Sequence, residues 1–534
     1  MRRLARIASV VAAILLGLVL LRPVIFAPIT GDDTFYDFSA SAMAHGAIGS
    51  EYLDLHAEWD RRVNKGRVNV LTGVERKVTG RAVLDSAVAT GHQPREVQSL
   101  FRIFFLGLCL VAVYVLLRAL RWRRRDSGEL VRLGVRARTI ALTAGGLVFA
   151  AGAQPQLVGL HGWNGWLSYP VSTLTAPLSI FGVAALALWL ARLSVVRGWR
   201  FGIPAALVLL VVGALTNYRY ELTFVALPVV VIALLLVPVS SRAERPAGRR
   251  VKTVLGAAYV VGFLPVLIAN RIMLNHICAH QECYQGVRPA ADVGMLTTFA
   301  ANVLSNIPGV GRAKTDEFLR SQDVSTHGLW SPTVWSILLA LLLLAVLALA
   351  WWGGGAPKEE PAPDAEEARA QGALCVVGAV ILVAGGLGTA GVMSLSRASQ
   401  EHTSQLGLLF RNAPTTWLGF AFGLALVVVA AGLVRPRFAL PTLVALGVAV
   451  ALLVTVKVPA DLRVAKANNS FMRASNQVFS EMVRGQQGEA ADQRRCALIH
   501  QVRRDMSPLY FKLIRRTSQQ AFEHYWHAPF CSQE

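Results

Sequence analysis

The chain has 534 residues, of which 54% are hydrophobic and only 16% charged, and its mean hydropathy is +0.47. The apolar residues exceed what a soluble core uses, and they fall in nearly charge-free blocks of roughly 15 to 22 residues, the length that crosses about 30 Å of hydrocarbon at 1.5 Å per residue. A soluble enzyme, a disordered chain, a disulfide-framework protein and an outer-membrane barrel are excluded, and an all-α polytopic transmembrane helical bundle is predicted.

The formal net charge of +21 and a pI near 10.4 raise the question of nucleic acid. The charge follows the apolar blocks instead. Arg2, Arg3 and Arg6 precede the first block, Arg118 to Arg125 follow the second, and Arg192 to Arg200 and Arg242 to Lys252 lie between later ones. Short basic loops of this kind set orientation by the positive-inside rule and sit against anionic lipid headgroups. None adjoins a nucleic-acid-binding module, so no nucleic-acid partner is expected.

In chain order, the block 7–29 follows three arginines and ends in Arg-Pro and Ala-Pro without a small-residue cleavage site, which predicts a retained anchor with the N-terminus inside. A polar segment, 30–98, then lies outside. Further spans are predicted at 100–117, 140–153, 174–190, 203–215, 222–239, 254–272, 334–352, 373–395, 417–434 and 440–456. The stretch 201–240 is too long for one crossing and divides at the tight turn Asn217-Tyr-Arg-Tyr-Glu221. About eleven spans put every strongly basic loop inside and residues 457–534 outside, as an extracytoplasmic helical segment. The outer face then carries the loops 30–98, 154–173, 273–332 and 396–415, and the protein is predicted to sit in the plasma (inner) membrane with its functional face outside. The inner loop Gly353 to Gly372 is an acidic, proline-bearing linker.

The first chemistry-bearing pattern is Gly31-Asp32-Asp33-Thr-Phe-Tyr-Asp37, just past the first span. Adjacent carboxylates repel one another, so Asp32 and Asp33 suit a general base or a ligand of a divalent cation, Mg or Mn; equally, Asp33 suits the cap of an amphipathic surface helix from Thr34 to His45. Further along stands Glu58-Trp-Asp-Arg-Arg-Val-Asn-Lys-Gly-Arg67, in which Trp59 and Arg67 offer aromatic and cationic contacts. The stretch from His161 to Tyr169 carries Trp163 and Trp166, a platform for sugar rings or an interfacial aromatic belt.

An acidic pair opening the first outer loop of a multi-span protein with its N-terminus inside resembles the GT-C superfamily of membrane glycosyltransferases. The resemblance covers the topology of most of the chain and, as a motif, Asp32 and Asp33 alone. It implies a sugar transferred from a polyprenyl-phosphate carrier to an extracytoplasmic glycan, lipid or protein acceptor, with one of the two aspartates as base. Such transfer needs an oxocarbenium-like transition state and cationic donors for the departing lipid phosphate at the same membrane depth. Arg219 is the preferred donor, with Tyr218, Tyr220 and Glu221 around it; the alternative is an interfacial anchor that pairs with Glu221. Arg271, Arg397 and Arg411 are the next candidates, and His402 between the last two is expected to be a solvated loop residue. The segment from Val287 to Trp330 is expected to lie over the site as a re-entrant or interfacial helix.

Cys278 and Cys283 share one outer segment and Cys496 and Cys531 another, which predicts two disulfides in an oxidising compartment. Zinc competes at Cys278-Ala-His280-Gln-Glu-Cys283 with His276 near by, though the second half of a standard site is missing. Three other functions stay open. A polysaccharide polymerase or ligase of the Wzy/WaaL type would not depend on the acidic pair. A transporter or flippase for a lipid-linked or amphipathic substrate would carry ionisable residues within spans, where the sequence has almost none. A scaffold would present the C-terminal segment itself.

Overall fold

The computed structural model of the protein describes residues 2–29, 55–64, 66–155, 157, 170–280, 283, 291–353, 364–402, 406 and 412–532. Asp32, Asp33, Trp163, Trp166 and Arg411 lie outside the described residues, as does the expected surface helix after Asp33. The described chain is helical almost throughout, as long apolar segments must be when each backbone group has to find its partner within its own segment.

The chain begins with α1 (Arg2–Ile25), and two helices that are not candidate spans follow it, α2 (Leu55–Val63) and α3 (Val70–Thr90). Then come α4 (Pro94–Ala119), a two-stranded hairpin β1 (Trp122–Arg123) and β2 (Leu130–Val131), α5 (Val135–Gly152), α6 (Leu174–Arg197) and α7 (Trp199–Thr216). Helices α8 (Glu221–Leu236), α9 (Arg245–His280), α10 (Val293–Leu304), α11 (Arg312–Ser321) and α12 (Val334–Gly353) continue the chain. The last third holds α13 (Ala365–Ser394), α14 (Arg397–His402), α15 (Ala413–Val434), α16 (Pro436–Phe471), α17 (Arg473–Arg484), α18 (Glu489–Asp505) and α19 (Pro508–Trp526).

Nine of the described helices are long and apolar enough to cross a membrane: α1, α4, α6, α7, α9, α12, α13, α15 and α16. The protein is therefore an all-α, multi-pass membrane protein. The spans expected at 140–153 and 222–239 are helices as well, but of a different kind. Helix α5 opens with Arg136 and Arg138 and is buried along most of its length against α1 and α15, so protein rather than lipid surrounds it. Helix α8 is shorter and starts as a 3-10 turn, Glu221–Val225.

The most extensive packing among the described helices joins α13 to α15. A Cβ at Gly419 would stand 2.4 Å from the Leu382 carbonyl oxygen, and one at Gly386 would stand 2.9 Å from that of Thr416, so the two backbones touch only because both positions are glycine. Hydroxyls stitch the seam. Thr416 Oγ1 donates to Gly386 O at 3.0 Å, lies 3.2 Å from Thr389 Oγ1 and accepts from Asn412 Nδ2 at 3.0 Å. Buried Arg102 on α4 serves another end: its Nη1 donates to Ile25 O at 2.9 Å and Ala27 O at 2.7 Å, satisfying carbonyls left open where α1 stops.

Helix α16 continues past residue 456 to Phe471 without a break. Beyond it α17, α18 and α19 bury a core of their own, built on Val478, Phe479, Met482, Ile499, Val502, Ile514 and Phe522 and closed by the disulfide Cys496–Cys531. Val83, Leu84 and Ala87 of α3 enter the same core, so the C-terminal helices grip α3. Tyr525 Oη donates to Asp85 at 2.6 Å, and Arg81 spans Asp85 at 2.8 Å and His524 at 2.7 Å. The second expected disulfide, Cys278–Cys283, is also formed, with Cα atoms 5.3 Å apart, so thiolate ligation of zinc at these two sulfurs is ruled out.

Candidate functional site

The buried positions of α3 run Thr72, Arg76, Gly80, Val83, Leu84 and Ala87, a helical stripe whose far end is apolar and whose near end is polar. The apolar end is held by the C-terminal helices. The polar end meets α2 and the turn between α7 and α8.

Glu58 of α2 is fully buried and bonded to two cations, Arg62 at 2.6 Å and Lys77 at 2.9 Å. A buried carboxylate is tolerable only with such compensation. It also needs room: a Cβ at Gly73 would lie 1.9 Å from Glu58 Oε1, so α3 must present bare backbone there. The α2–α3 connection turns at Gly66, whose φ is +74°, and a Cβ at that residue would stand 2.9 Å from the Cβ of Cys283. The Cys278–Cys283 bridge thus packs on the turn that leads into Arg67, itself buried. Asn69 follows, 1% exposed, with neither its Oδ1 nor its Nδ2 in a hydrogen bond among the described residues.

Trp59 and Tyr218 lie with ring centroids 6.0 Å apart, and the Tyr218 carbonyl accepts from Leu71 N at 2.9 Å, so α2, α3 and the α7–α8 turn form one corner. Arg219 projects from that turn to Glu75 on α3 at 2.5 Å, and its other terminal nitrogen donates to Ser179 Oγ. Ser179 belongs to a π-helical turn, Leu178–Gly182, within α6. Such turns widen a helix by one residue and commonly accompany functional positions. The Arg76 guanidinium stands 5.9 Å from the centre of the Tyr220 ring, and Tyr220 packs with Ala176, Leu222 and Met393.

Glu75 is the unusual group. Burial raises its carboxyl above the ordinary 4.5, and the charge and hydrogen bond of Arg219, with the charge of Arg76, only partly oppose this. Its Oε1 is taken by Arg219, while Oε2 is buried without a hydrogen-bond partner among the described residues. A carboxylate beside an arginine, with one oxygen uncommitted, can take up a proton as Arg219 turns to another anion. The Asn69 amide and the second oxygen of Glu75, near one helix end, are what a polar ligand would satisfy.

No protein-family model, curated protein or solved structure matches the chain. The site therefore rests on its own geometry.

Of the residues expected from sequence, Trp59, Tyr218, Arg219 and Tyr220 come together with Glu75, Arg76 and Ser179, and Arg67 lies in the adjoining turn. Arg219 pairs with Glu75 rather than with its neighbour Glu221. Arg397 is turned to Glu401 of its own helix at 3.0 Å, and Arg271 lies on the last third of α9. Among the described residues no group of three or more His, Cys, Asp and Glu side chains has metal-site geometry. The sequence reading passed over Glu75, Arg76, Asn69 and Ser179. Glu75-Arg76-Lys77 within an otherwise uncharged run of α3 was the available signal; Ser179, in the middle of an apolar block, gave none.

The transport alternative also gains a feature. Lys457 and Asp461 form a buried ion pair on α16, and Lys457 Nζ also donates to the carbonyl of Ala153 at the end of α5. The apolar block stops just before both residues, so the sequence assigns them to the C-terminal segment.

Proposed function

We propose that the protein is a membrane glycosyltransferase that moves a sugar from a polyprenyl-phosphate donor to a hydroxyl of an extracytoplasmic glycan, lipid or protein. The observation that carries this reading is the Glu75–Arg219–Ser179 cluster, a guanidinium at a helix turn beside a carboxylate with one unbonded oxygen. Arginine suits a lipid phosphate because its planar fork bonds two phosphate oxygens and keeps its charge. In the transfer, the acceptor oxygen bonds to the anomeric carbon and its proton passes to a carboxylate. The bond from that carbon to the phosphate oxygen breaks, and its electron pair leaves with the polyprenyl phosphate. Asp32 or Asp33 is the base, and the pair would hold a Mg or Mn ion as carboxylate ligands. Arg219 holds the leaving phosphate. Glu75 and Ser179 orient Arg219, and Trp59 and Tyr218 border the sugar.

The test is sugar release from a panel of polyprenyl-phosphate sugars in membranes carrying wild type, Asp32→Asn, Asp33→Asn, Glu75→Gln and Arg219→Lys, with folded protein quantified in each. Loss of transfer in an aspartate variant and in Arg219→Lys, with folding intact, is the expected result. Wild-type turnover of no donor in the panel, or full activity in all four variants, ends the reading.

A second reading, transport or flipping of a lipid-linked substrate, is favoured by one observation, the buried Lys457–Asp461 pair within a long apolar helix. Movement of labelled lipid across proteoliposomes that is lost in Asp461→Asn supports it.

A further inference from the structure

At the other end of α4 the described residues bring several arginines together. Arg121 Nη1 donates to the carbonyls of Arg118 and Leu120, both at 2.7 Å, and Arg192 Nη2 donates to that of Ala119 at 2.8 Å. Two guanidiniums from α6 and from the α4–β1 junction are thus pinned to successive carbonyls of one helix end. Arg118, Arg132 and Arg138 complete the group. Burial first, then the charges of Arg192, Arg132, Arg138 and Arg118, pull the Arg121 guanidinium down to about 9. It still carries its proton at neutral pH.

Among the described residues none of the five arginines has a carboxylate in salt-bridge range, and the Nε of Arg192 is buried without a partner. Of the acids near this face, Glu129 on the β1–β2 hairpin forms no ion pair with the five among the described residues, and four others are engaged elsewhere. Arg124 holds Asp126 at 2.6 Å and Asp364 at 2.7 Å; Glu366 accepts from Arg125 N at 2.9 Å, and Glu367 from Gln371 at 3.1 Å. Such a concentration of like charge is costly unless an anion neutralises it.

We propose that Arg118, Arg121, Arg132, Arg138 and Arg192 form a binding site for the headgroup of an anionic phospholipid, with preference for a headgroup carrying two phosphates. A free anion would fit the charge but not the setting. Toward the middle of the same helices from the arginines, α4 exposes Val111 and Val115, and α6 exposes Trp189. These faces suit acyl chains. Tyr114, with its ring centre 5.8 Å from the Arg118 guanidinium, stands at the boundary between chain and headgroup. Five arginines exceed what one singly charged phosphate neutralises, hence the preference for two.

The experiment is native mass spectrometry of the full chain released from phosphatidylcholine nanodiscs doped with equal mole fractions of phosphatidylglycerol or cardiolipin. Wild type is expected to retain cardiolipin over phosphatidylglycerol, and both over phosphatidylcholine. Arg121→Gln with Arg192→Gln lowers cardiolipin retention by about tenfold, the order expected for charge-assisted phosphate contacts. Those two arginines also cap a helix, so Arg132→Gln with Arg138→Gln is the second variant, expected to lose retention while leaving the cap intact. Arg197→Gln with Arg200→Gln, which are exposed at the same end, leaves it unchanged. Equal retention of all three lipids, retention untouched by both site variants, an equal loss in the Arg197/Arg200 control, or complete displacement of lipid by millimolar inorganic phosphate each overturns the proposal.

Discussion

Arg219 and Glu75 meet at 2.5 Å across the junction of the α7–α8 turn with α3, though 144 residues separate them in the chain. Each is less than a third exposed, so neither charge is well solvated without the other. Arg219→Gln leaves Glu75 in a desolvated site, and the double variant with Glu75→Gln removes both charges. A thermodynamic cycle is therefore expected to show coupling of about 1 to 3 kcal/mol, with the double variant more stable than Arg219→Gln alone. Thermal unfolding of the four proteins in one detergent measures it. Additive losses would mean that the pair contributes nothing.

The same carboxyl gives a pH signature. Its pKa is raised in the fold, so the folded state holds the proton more tightly than the unfolded chain does. The stability this contributes is complete below the ordinary 4.5 and is lost as pH rises through the raised value. Glu75→Gln lacks the proton to lose. The melting temperature of wild type relative to Glu75→Gln should fall across that window and then level off, as followed by intrinsic fluorescence. A difference that is flat from pH 4 to 8, or one that rises, contradicts the burial-dominated environment described for Glu75.

Much of the architecture was legible because a membrane makes hydropathy decisive: each of the eleven predicted spans corresponds to a helix. The misfits have physical causes. Helix α5 opens with Arg136 and Arg138, which shorten its uncharged stretch, and α16 extends past its apolar stretch because Lys457 and Asp461 neutralise each other within it. The two disulfides followed from cysteines that share polar segments between or after the apolar blocks. The corner at Arg219 was half legible. Tyr218, Arg219 and Tyr220 announce themselves as charge and aromatics in a turn between two apolar blocks. Glu75 could not be assigned to them, because its partner lies 144 residues away and only tertiary packing brings the two together.

Gly73 tests how tightly α2 is held. In Gly73→Ala the added methyl meets Glu58 Oε1 at 1.9 Å and Arg62 Nη2 at 2.9 Å, both part of a buried charge cluster with little freedom to move. Helix propensity alone would favour alanine by roughly 0.8 to 1 kcal/mol. Displacing the Glu58 carboxylate from its two cations outweighs that gain, so a net loss of about 1 to 3 kcal/mol is expected, with earlier proteolysis between α2 and α3. Gly91→Ala provides the contrast: its φ of +70° strains the backbone but no atom lies within 4 Å, so α2 stays protected. Indistinguishable proteolysis of the two variants would show that Glu58 is not confined.

The two disulfides should differ in their effect on stability. Cys496–Cys531 closes 35 residues and Cys278–Cys283 only 5. On loop entropy the first contributes about 4 kcal/mol and the second about 2 kcal/mol. Their surroundings sharpen the contrast. The longer bridge lies in the core that grips α3, next to Arg495, which stacks 4.5 Å from the Phe522 ring centre and donates to the Phe530 carbonyl at 2.5 Å. The shorter one packs on the Gly66 turn beside the candidate site. Cys496→Ser with Cys531→Ser should lower the melting temperature and expose α3 to protease. Cys278→Ser with Cys283→Ser should lower it less while weakening binding of the proposed donor through the loosened turn that carries Arg67 and Asn69. Equal losses of stability from both pairs would mean that native packing, not loop closure, sets what each bridge contributes, and that the C-terminal helices hold α3 without their covalent tie.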